Sequence, residues 1–245
     1  LFKVPKQQKR DKVLVIVPAY NEEENLPQLV DKLRQVEPKV DILIINDRSQ
    51  DETARICSQL GVNTIHLPCN LGIGGAVQTG YKYAHLYGYE YAVQVDGDGQ
   101  HDPEYISNIL RPLMEQEADL VIGSRYINKE GFQSSVMRRM GIRYFSLLIN
   151  ILIQQKVTDP TSGFRACNAK VIDLFSRFYP ADYPEPESIV FIKRNGYKIV
   201  EVPVVMQERL GGTSSIKSFR TLYYMIKVSL AILIDKMRRN AEVKP

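Results

Sequence analysis

Apolar and polar positions change period in regular blocks along the first half of the chain. Val13–Val17 is a continuous apolar run, as a strand buried on both faces requires, and Glu22–Val36 then carries apolar residues at helical spacing. The alternation continues with strands expected at Val40–Ile45, Thr64–Leu67, Tyr91–Val95 and Leu120–Ile122. Helices are expected at Asp51–Leu60 and Gly74–Leu86, and a further one opens at Asp102-Pro103, a capping residue before a proline, and runs to about Gln116. Strands separated by helices imply an α/β fold, a mostly parallel central sheet with helices on both faces.

The second half is less regular. Tyr144–Ile153 is apolar nearly all round, so it is buried in protein or touches lipid. Lys198–Met206 reads as a strand, Asn128–Ser135 and Glu208–Ser215 as loops rich in turn formers, and Ser218–Arg238 as one long helix. In that helix Phe219, Leu222, Tyr223, Ile226, Leu230, Leu233, Ile234 and Met237 share one stripe, with Lys217, Arg220, Lys227 and Arg238 mostly opposite. A basic amphipathic helix of this kind lies in a membrane interface, or packs on the core or on a second subunit. A homo-oligomer or a separate membrane subunit is the partner expectation.

Composition narrows the function classes. The chain has 245 residues, 44% hydrophobic and 24% charged, which is ordinary for a globular protein. A net charge of +4 does not by itself argue for nucleic acid, although basic residues crowd at Lys3–Lys12 and Lys217–Lys244, where an anionic surface would be met. Three widely spaced cysteines imply no disulfide framework and fit a reducing, cytoplasmic compartment. No signal-peptide pattern is seen, and no run of about 20 apolar residues predicts a membrane-spanning helix.

The strongest candidate chemistry is Asp96-Gly97-Asp98, directly after the expected strand Tyr91–Val95. Ligands of open α/β sheets bind beyond the carboxyl ends of the strands. Two carboxylates there suit a hard cation, Mg²⁺ or Mn²⁺, that also takes diphosphate oxygens, with Gln100 or His101 as a further ligand or supporting contact. A calcium loop is excluded, because Gln100 and His101 stand where that loop needs Asp or Asn and then Gly. The glycines of Asn70-Leu71-Gly72-Ile73-Gly74-Gly75 do not follow the first strand, so they are no dinucleotide fingerprint; they let a helix start approach a phosphate or a base, or form a tight turn.

Taken together, Pro18-Ala19-Tyr20-Asn21-Glu22-Glu23-Glu24-Asn25-Leu26, Asn46-Asp47-Arg48-Ser49-Gln50-Asp51-Glu52-Thr53, Asn70-Leu71-Gly72 and Asp96-Gly97-Asp98-Gly99-Gln100-His101 resemble family 2 of the glycosyltransferases in wording, order and spacing. Gly123-Ser124-Arg125-Tyr126, Asp159-Pro160-Thr161-Ser162-Gly163-Phe164-Arg165 and Arg209-Leu210-Gly211-Gly212-Thr213-Ser214 are similar to the branch containing dolichyl-phosphate mannosyltransferase and bacterial polyprenyl-phosphate glycosyltransferases. The resemblance covers roughly Val13 to Arg239.

It implies a GT-A fold over residues 13–215, with a nucleotide-sugar half at 13–125 and an acceptor half at 126–215. Residues 1–12 then form a basic N-terminal segment and 216–245 an amphipathic helix and tail. It implies a nucleotide site of Pro18, Tyr20, Glu22, Asp47, Asn70, Gly72 and Asp96, and a metal held by Asp96, Asp98 and Gln100. Arg125, Arg138 and Arg139 would meet an acceptor phosphate, and Asp98, Arg209 and Asp159 would act in catalysis. The activity implied is inverting transfer of a hexose from a UDP- or GDP-linked sugar to a polyprenyl phosphate, peripherally at the cytoplasmic membrane face. The alternative is extension of a lipid-linked or wall polysaccharide at a sugar hydroxyl. That alternative needs a carboxylate base, for which Asp159 and Glu187 are the candidates. The sequence departs from the family at Arg48, where glycine is usual, at Ile73, where lysine is frequent, and at Ile142, which replaces a serine.

Overall fold

The computed structural model describes residues 12–132, 136–182, 184–207 and 218–237. One seven-stranded sheet runs through both halves of the chain, in the order β3-β2-β1-β4-β6-β5-β7. Strand β1 (Val13–Ala19) lies between β2 (Asp41–Asn46) and β4 (Tyr91–Gln94), parallel to both, and β3 (Asn63–His66) forms one edge. The other side holds β5 (Leu120–Ser124), β6 (Arg165–Asn168) and β7 (Ile199–Pro203). Here β6 is antiparallel to both β4 and β5, whereas β7 is parallel to β5.

Every residue of β1 is buried, as its unbroken apolar run demands. Its side chains alternate between two cores, Leu14 and Ile16 entering one and Val13, Val15 and Val17 the other. Burial of such a side chain is worth about 1.5–3 kcal/mol, so this strand anchors both layers. One face carries α1 (Leu26–Leu33), α2 (Thr53–Leu60) and α4 (Ile106–Met114). The other carries α3 (Gly72–Leu86), α5 (Val136–Ile153), α6 (Ala169–Arg177), α7 (Pro184–Arg194) and α8 (Ser218–Met237).

The turn at Asp102-Pro103 behaves as its sequence requires, the Asp102 carboxylate accepting from the Glu104 N–H ahead of a short 3₁₀ turn that feeds α4. Three elements exceed the sequence reading. The strand β6 is only four residues long, α6 is capped by the Asn168 side chain, and α7 begins at a proline pair, Pro184 and Pro186. The helix expected from Glu22 is shorter, because Asn21 takes a positive φ of 56° and Glu22–Asn25 form turns before α1. The segment read as apolar all round is the latter part of α5, which has a buried side (Phe145, Ile149, Ile153) and an exposed one (Leu147, Ile151).

Candidate active site

The carboxyl ends of β1, β2 and β4 form one rim, knitted by backbone bonds. The Asp47 N–H donates to the Ala19 carbonyl at 2.9 Å, and the Gly97 N–H donates to the Pro18 carbonyl at 3.2 Å. A side chain on Gly97 would meet that Pro18 oxygen at 2.9 Å, so glycine lets the Asp-x-Asp turn lie directly on the loop after β1. Tyr20 is exposed on this rim, whereas Glu22 is buried and its carboxylate accepts from Asn25 Nδ2 at 2.6 Å.

Asp47 organises the next loop. Its two carboxylate oxygens accept from the Leu71 N–H at 2.7 Å and the Gly72 N–H at 2.9 Å, and Asn70 Nδ2 donates to the Asp47 carbonyl at 3.1 Å. The start of α3 is therefore already capped by a carboxylate. Gly74 serves a close approach of another kind: its N–H donates to the Ala181 carbonyl at 3.1 Å, and a Cβ there would stand 2.2 Å from that oxygen. Of the two readings of these glycines, the tight turn is the one whose contacts are seen, backbone and carboxylate closing on the helix start.

Asp96 sits at the centre of the rim with its carboxylate partly exposed. Gln94 Nε2 donates to Asp96 Oδ1 at 3.1 Å, and the Asp96 N–H donates to His101 Nδ1 at 3.0 Å. The His101 ring stacks on Phe164 with centroids 5.0 Å apart, which fixes its plane, and its Nε2 lies 3.7 Å from Asp96 Oδ2. The backbone of Gly163 rests against the same carboxylate, since a Cβ there would be 2.7 Å from Oδ2. Asp98 Oδ1 accepts from the Gln100 N–H at 3.1 Å across Gly99, whose φ of +74° favours glycine.

The donor set fits a hard divalent cation. Asp96 and Asp98 offer carboxylate oxygens at a strand end, and among the described residues no group of three or more His, Cys, Asp or Glu is placed to hold a metal. Two protein carboxylates leave coordination positions for phosphate oxygens and water, the usual arrangement for magnesium-type sites.

The other side of the rim, where the motifs lead one to expect the acceptor, is built on buried charge. Arg125, at the end of β5, donates from Nε to Asp159 Oδ2 at 2.6 Å and from a terminal nitrogen to Oδ1 at 2.7 Å, with Asp159 wholly buried. Glu201 of β7 supports the same loop, accepting from the Asp159 N–H at 2.8 Å and the Thr158 N–H at 2.7 Å. Burial pushes the Glu201 carboxyl above its ordinary range, although those N–H groups pull it back. This geometry departs from the sequence expectation for both residues. Asp159 is committed to Arg125 and shielded from solvent, so it is not placed as a base, and the Arg125 fork is occupied by that carboxylate rather than turned to an acceptor phosphate. Arg138 and Arg139, in the first turn of α5, lie within electrostatic reach of Tyr126, over whose ring the Arg125 guanidinium sits at 5.4 Å. Glu187 is half-buried in the first turn of α7. Arg209 lies outside the described residues.

Three further residues belong to the site. Arg165, paired in register with Gln94, is fully buried and donates to the Ser162 carbonyl at 2.6 Å, the Pro160 carbonyl at 2.9 Å and Ser188 Oγ at 2.8 Å. It thereby sets the loop whose Gly163 touches Asp96. Glu185, half-buried in the first turn of α7, is raised above the usual carboxyl range by burial, drawn down by Arg165 and raised further by Asp96; Gln94 is hydrogen-bonded to it. Tyr179 Oη reaches Gln94 Oε1 at 3.5 Å. A buried glutamine at a strand end, and an arginine in a strand of otherwise small buried residues, are the sequence signals for this floor.

Comparison with known proteins agrees with the motifs. Polyprenol monophosphomannose synthase of Mycolicibacterium smegmatis is 31% identical over 228 residues, covering 89% of this chain and 86% of that protein. Undecaprenyl-phosphate mannosyltransferase of Micrococcus luteus is 34% identical over 213 residues, covering 83% and 86%. Among solved structures, glucosyl-3-phosphoglycerate synthase from Mycobacterium tuberculosis in complex with phosphoglyceric acid has a TM-score of 0.72 at 17% identity, over 95% of this chain and 82% of that one. The same synthase with Mn²⁺, uridine diphosphate and phosphoglyceric acid gives 0.71, also at 17% identity and over 95% of this chain and 81% of that one. That likeness shows the fold, the GT-A arrangement that the motifs imply. The sequence profile of Glycosyl transferase family 2 matches residues 14–175, and with relatives above 30% identity over most of its length, the chain belongs to that family.

Proposed function

We propose that this glycosyltransferase moves a hexose from a nucleotide diphosphate sugar to a polyprenyl phosphate, with inversion, working peripherally at a cytoplasmic membrane face. The observation that carries the acceptor assignment is the burial of Asp159 against Arg125, supported by the lipid phosphates in the names of the relatives. A sugar hydroxyl must lose a proton to a base as it attacks, whereas a phosphate oxygen is already an anion and needs only placement and charge screening.

In this reading residues 13–125 hold the nucleotide sugar and 126–215 the acceptor. Pro18, Tyr20 and Glu22 border the nucleoside, while Asp47 shapes the pocket by fixing Asn70–Gly72. Asp96 and Asp98, with Gln100 beside them, would hold Mg²⁺ or Mn²⁺, which when bound neutralises charge building on the departing diphosphate. Arg138 and Arg139 orient the acceptor phosphate, and Arg209, assigned from its motif alone, pairs with the diphosphate. UDP- and GDP-linked donors are both compatible with this rim.

The test incubates the purified chain with radiolabelled nucleotide sugars, a prenyl phosphate and Mn²⁺. The expected product is soluble in organic solvent, labile to mild acid and absent with EDTA. Transfer only to saccharide acceptors would overturn the assignment. One observation favours that second reading: Glu185 is a half-buried carboxylate joined to Asp96 through Gln94. If it acts as base toward a hydroxyl, Glu185→Gln loses about 10²–10⁴ in turnover. With a phosphate acceptor the same variant keeps most of its rate.

A further inference from the structure

We infer that α5 and α8 form one plate that docks on an anionic lipid monolayer; this rests on the lipid-acceptor reading above and identifies the surface that serves it. In α5 the side chains of Met137, Met140, Tyr144, Leu147 and Ile151 are exposed, Leu147 at 62% and Ile151 at 67%. Their spacing of three and four residues puts them on one helix face, opposite Phe145, Ile149 and Ile153 in the core. In α8 the stripe residues Ile226, Leu230, Leu233 and Ile234 are exposed, while Val228 and Ile232, which lie off that stripe, are fully buried. The two helices pack together, and Tyr144 Oη and Ser229 Oγ are hydrogen-bonded at 3.0 Å. More than half of the large apolar side chains exposed among the described residues lie on these two helices. So concentrated an apolar face marks an interaction surface.

Charge selects the occupant. The α5 sequence contains Arg138, Arg139 and Arg143 and no carboxylate, and α8 contains only Asp235 as an acid. A second copy of the same surface would therefore set an apolar stripe against its like without offering the arginines an acidic counterpart. An anionic monolayer offers both, phosphates at the level of the arginines and acyl chains beneath them. Among the described residues no helix is long and apolar enough to cross a membrane, so the plate lies on the surface rather than through it. It also borders the site, because the first turn of α5 carries Arg138 and Arg139 within electrostatic reach of Tyr126, and α5 packs on α7, which carries Glu185.

The experiment uses the full chain and co-sedimentation with two kinds of vesicle, phosphatidylcholine alone and phosphatidylcholine with an equal part of phosphatidylglycerol. The chain is expected to pellet with the anionic vesicles, less so in high salt. Leu147→Glu with Ile151→Glu should weaken that binding roughly tenfold or more, because both side chains lose their apolar insertion. Its melting temperature, sedimentation coefficient and activity on a water-soluble short-chain prenyl phosphate should match the wild type. Ile226→Glu repeats the test on α8 should the α5 variant unfold. Unchanged vesicle binding by the variants, or no binding by the wild type, overturns the proposal. So does a wild-type dimer that the variants split, since a second copy would then cover the plate. Failure of the wild type to use the short acceptor would instead sink the substrate assignment, with vesicle binding read independently.

Discussion

The two sides of the active rim hold their shape by opposite means. On the nucleotide side, carboxylates cap backbone N–H groups, as Asp47 does for Leu71 and Gly72 and Asp98 for Gln100. On the acceptor side, ionised groups are removed from water and balance one another, as Arg125 does with Asp159, while Arg165 spends its donors on carbonyls and a hydroxyl. The first arrangement leaves Asp96 and Asp98 partly exposed for ligand. The second gives a rigid floor whose cost is desolvation, so it should be far less tolerant of a single missing partner.

That contrast can be broken most forcefully at Asp159. Asp159→Ala leaves the Arg125 guanidinium buried without its carboxylate and should cost about 3–5 kcal/mol of stability, read by denaturant unfolding. Loss of less than a third of that would place the pair in a wetter setting than its burial indicates. At Asp98 the expected loss is catalytic instead. Asp98→Asn should lower turnover by at least two orders of magnitude, about 2.7 kcal/mol in the barrier, with the melting temperature unchanged. Turnover close to wild type, together with indifference to EDTA, would remove the metal role.

Gly163→Ala probes the seam between the two sides, because its Cβ would push on the Asp96 carboxylate at 2.7 Å. A roughly tenfold weaker Mn²⁺ dependence of activity is expected, about 1.4 kcal/mol, with little change in nucleotide binding measured without metal. The smallest effect concerns pH. Burial raises the folded-state pKa of Glu201, so its contribution to stability is complete below the ordinary glutamate range and is lost as pH rises through the raised value. Melting temperatures of the wild type should fall across that window more than those of Glu201→Gln; parallel curves would assign the pH dependence elsewhere.

The same contrast explains what could be read from the sequence. The nucleotide side is written in short contiguous words, so the runs at Pro18, Asp47, Asn70 and Asp96 led to one rim without knowledge of any long-range contact. The alternation of strands and helices through Leu120–Ile122 was legible because β1, β2, β4 and β5 are buried and strongly apolar. On the acceptor side the partners are distant in sequence: Arg125 meets Asp159, Asp159 meets Glu201, and Arg165 meets Ser188. Arginine and aspartate in a motif look alike whether they face a substrate or each other, and only the fold distinguishes them. The strand β6 was missed because four residues beginning with a charged one carry no periodicity, and Glu185 was passed over for Glu187 within the same acidic turn. In α8 the stripe was legible but its direction was not: burial of Val228 and Ile232, which lie off it, turns Ile226, Leu230 and Ile234 outward.

The position of β6 has a mechanical consequence. This antiparallel strand is stitched between β4, which leads to the Asp-x-Asp turn, and β5, which leads to Arg125. Swinging the donor and acceptor halves apart would tear a ladder of backbone hydrogen bonds through the middle of the sheet, so the enzyme has no hinge there to open. In the proposed reading, donor and acceptor then meet on one continuous sheet. A lipid acceptor suits such a machine, because its head group can slide into place along the membrane plane while the catalytic surface stays still.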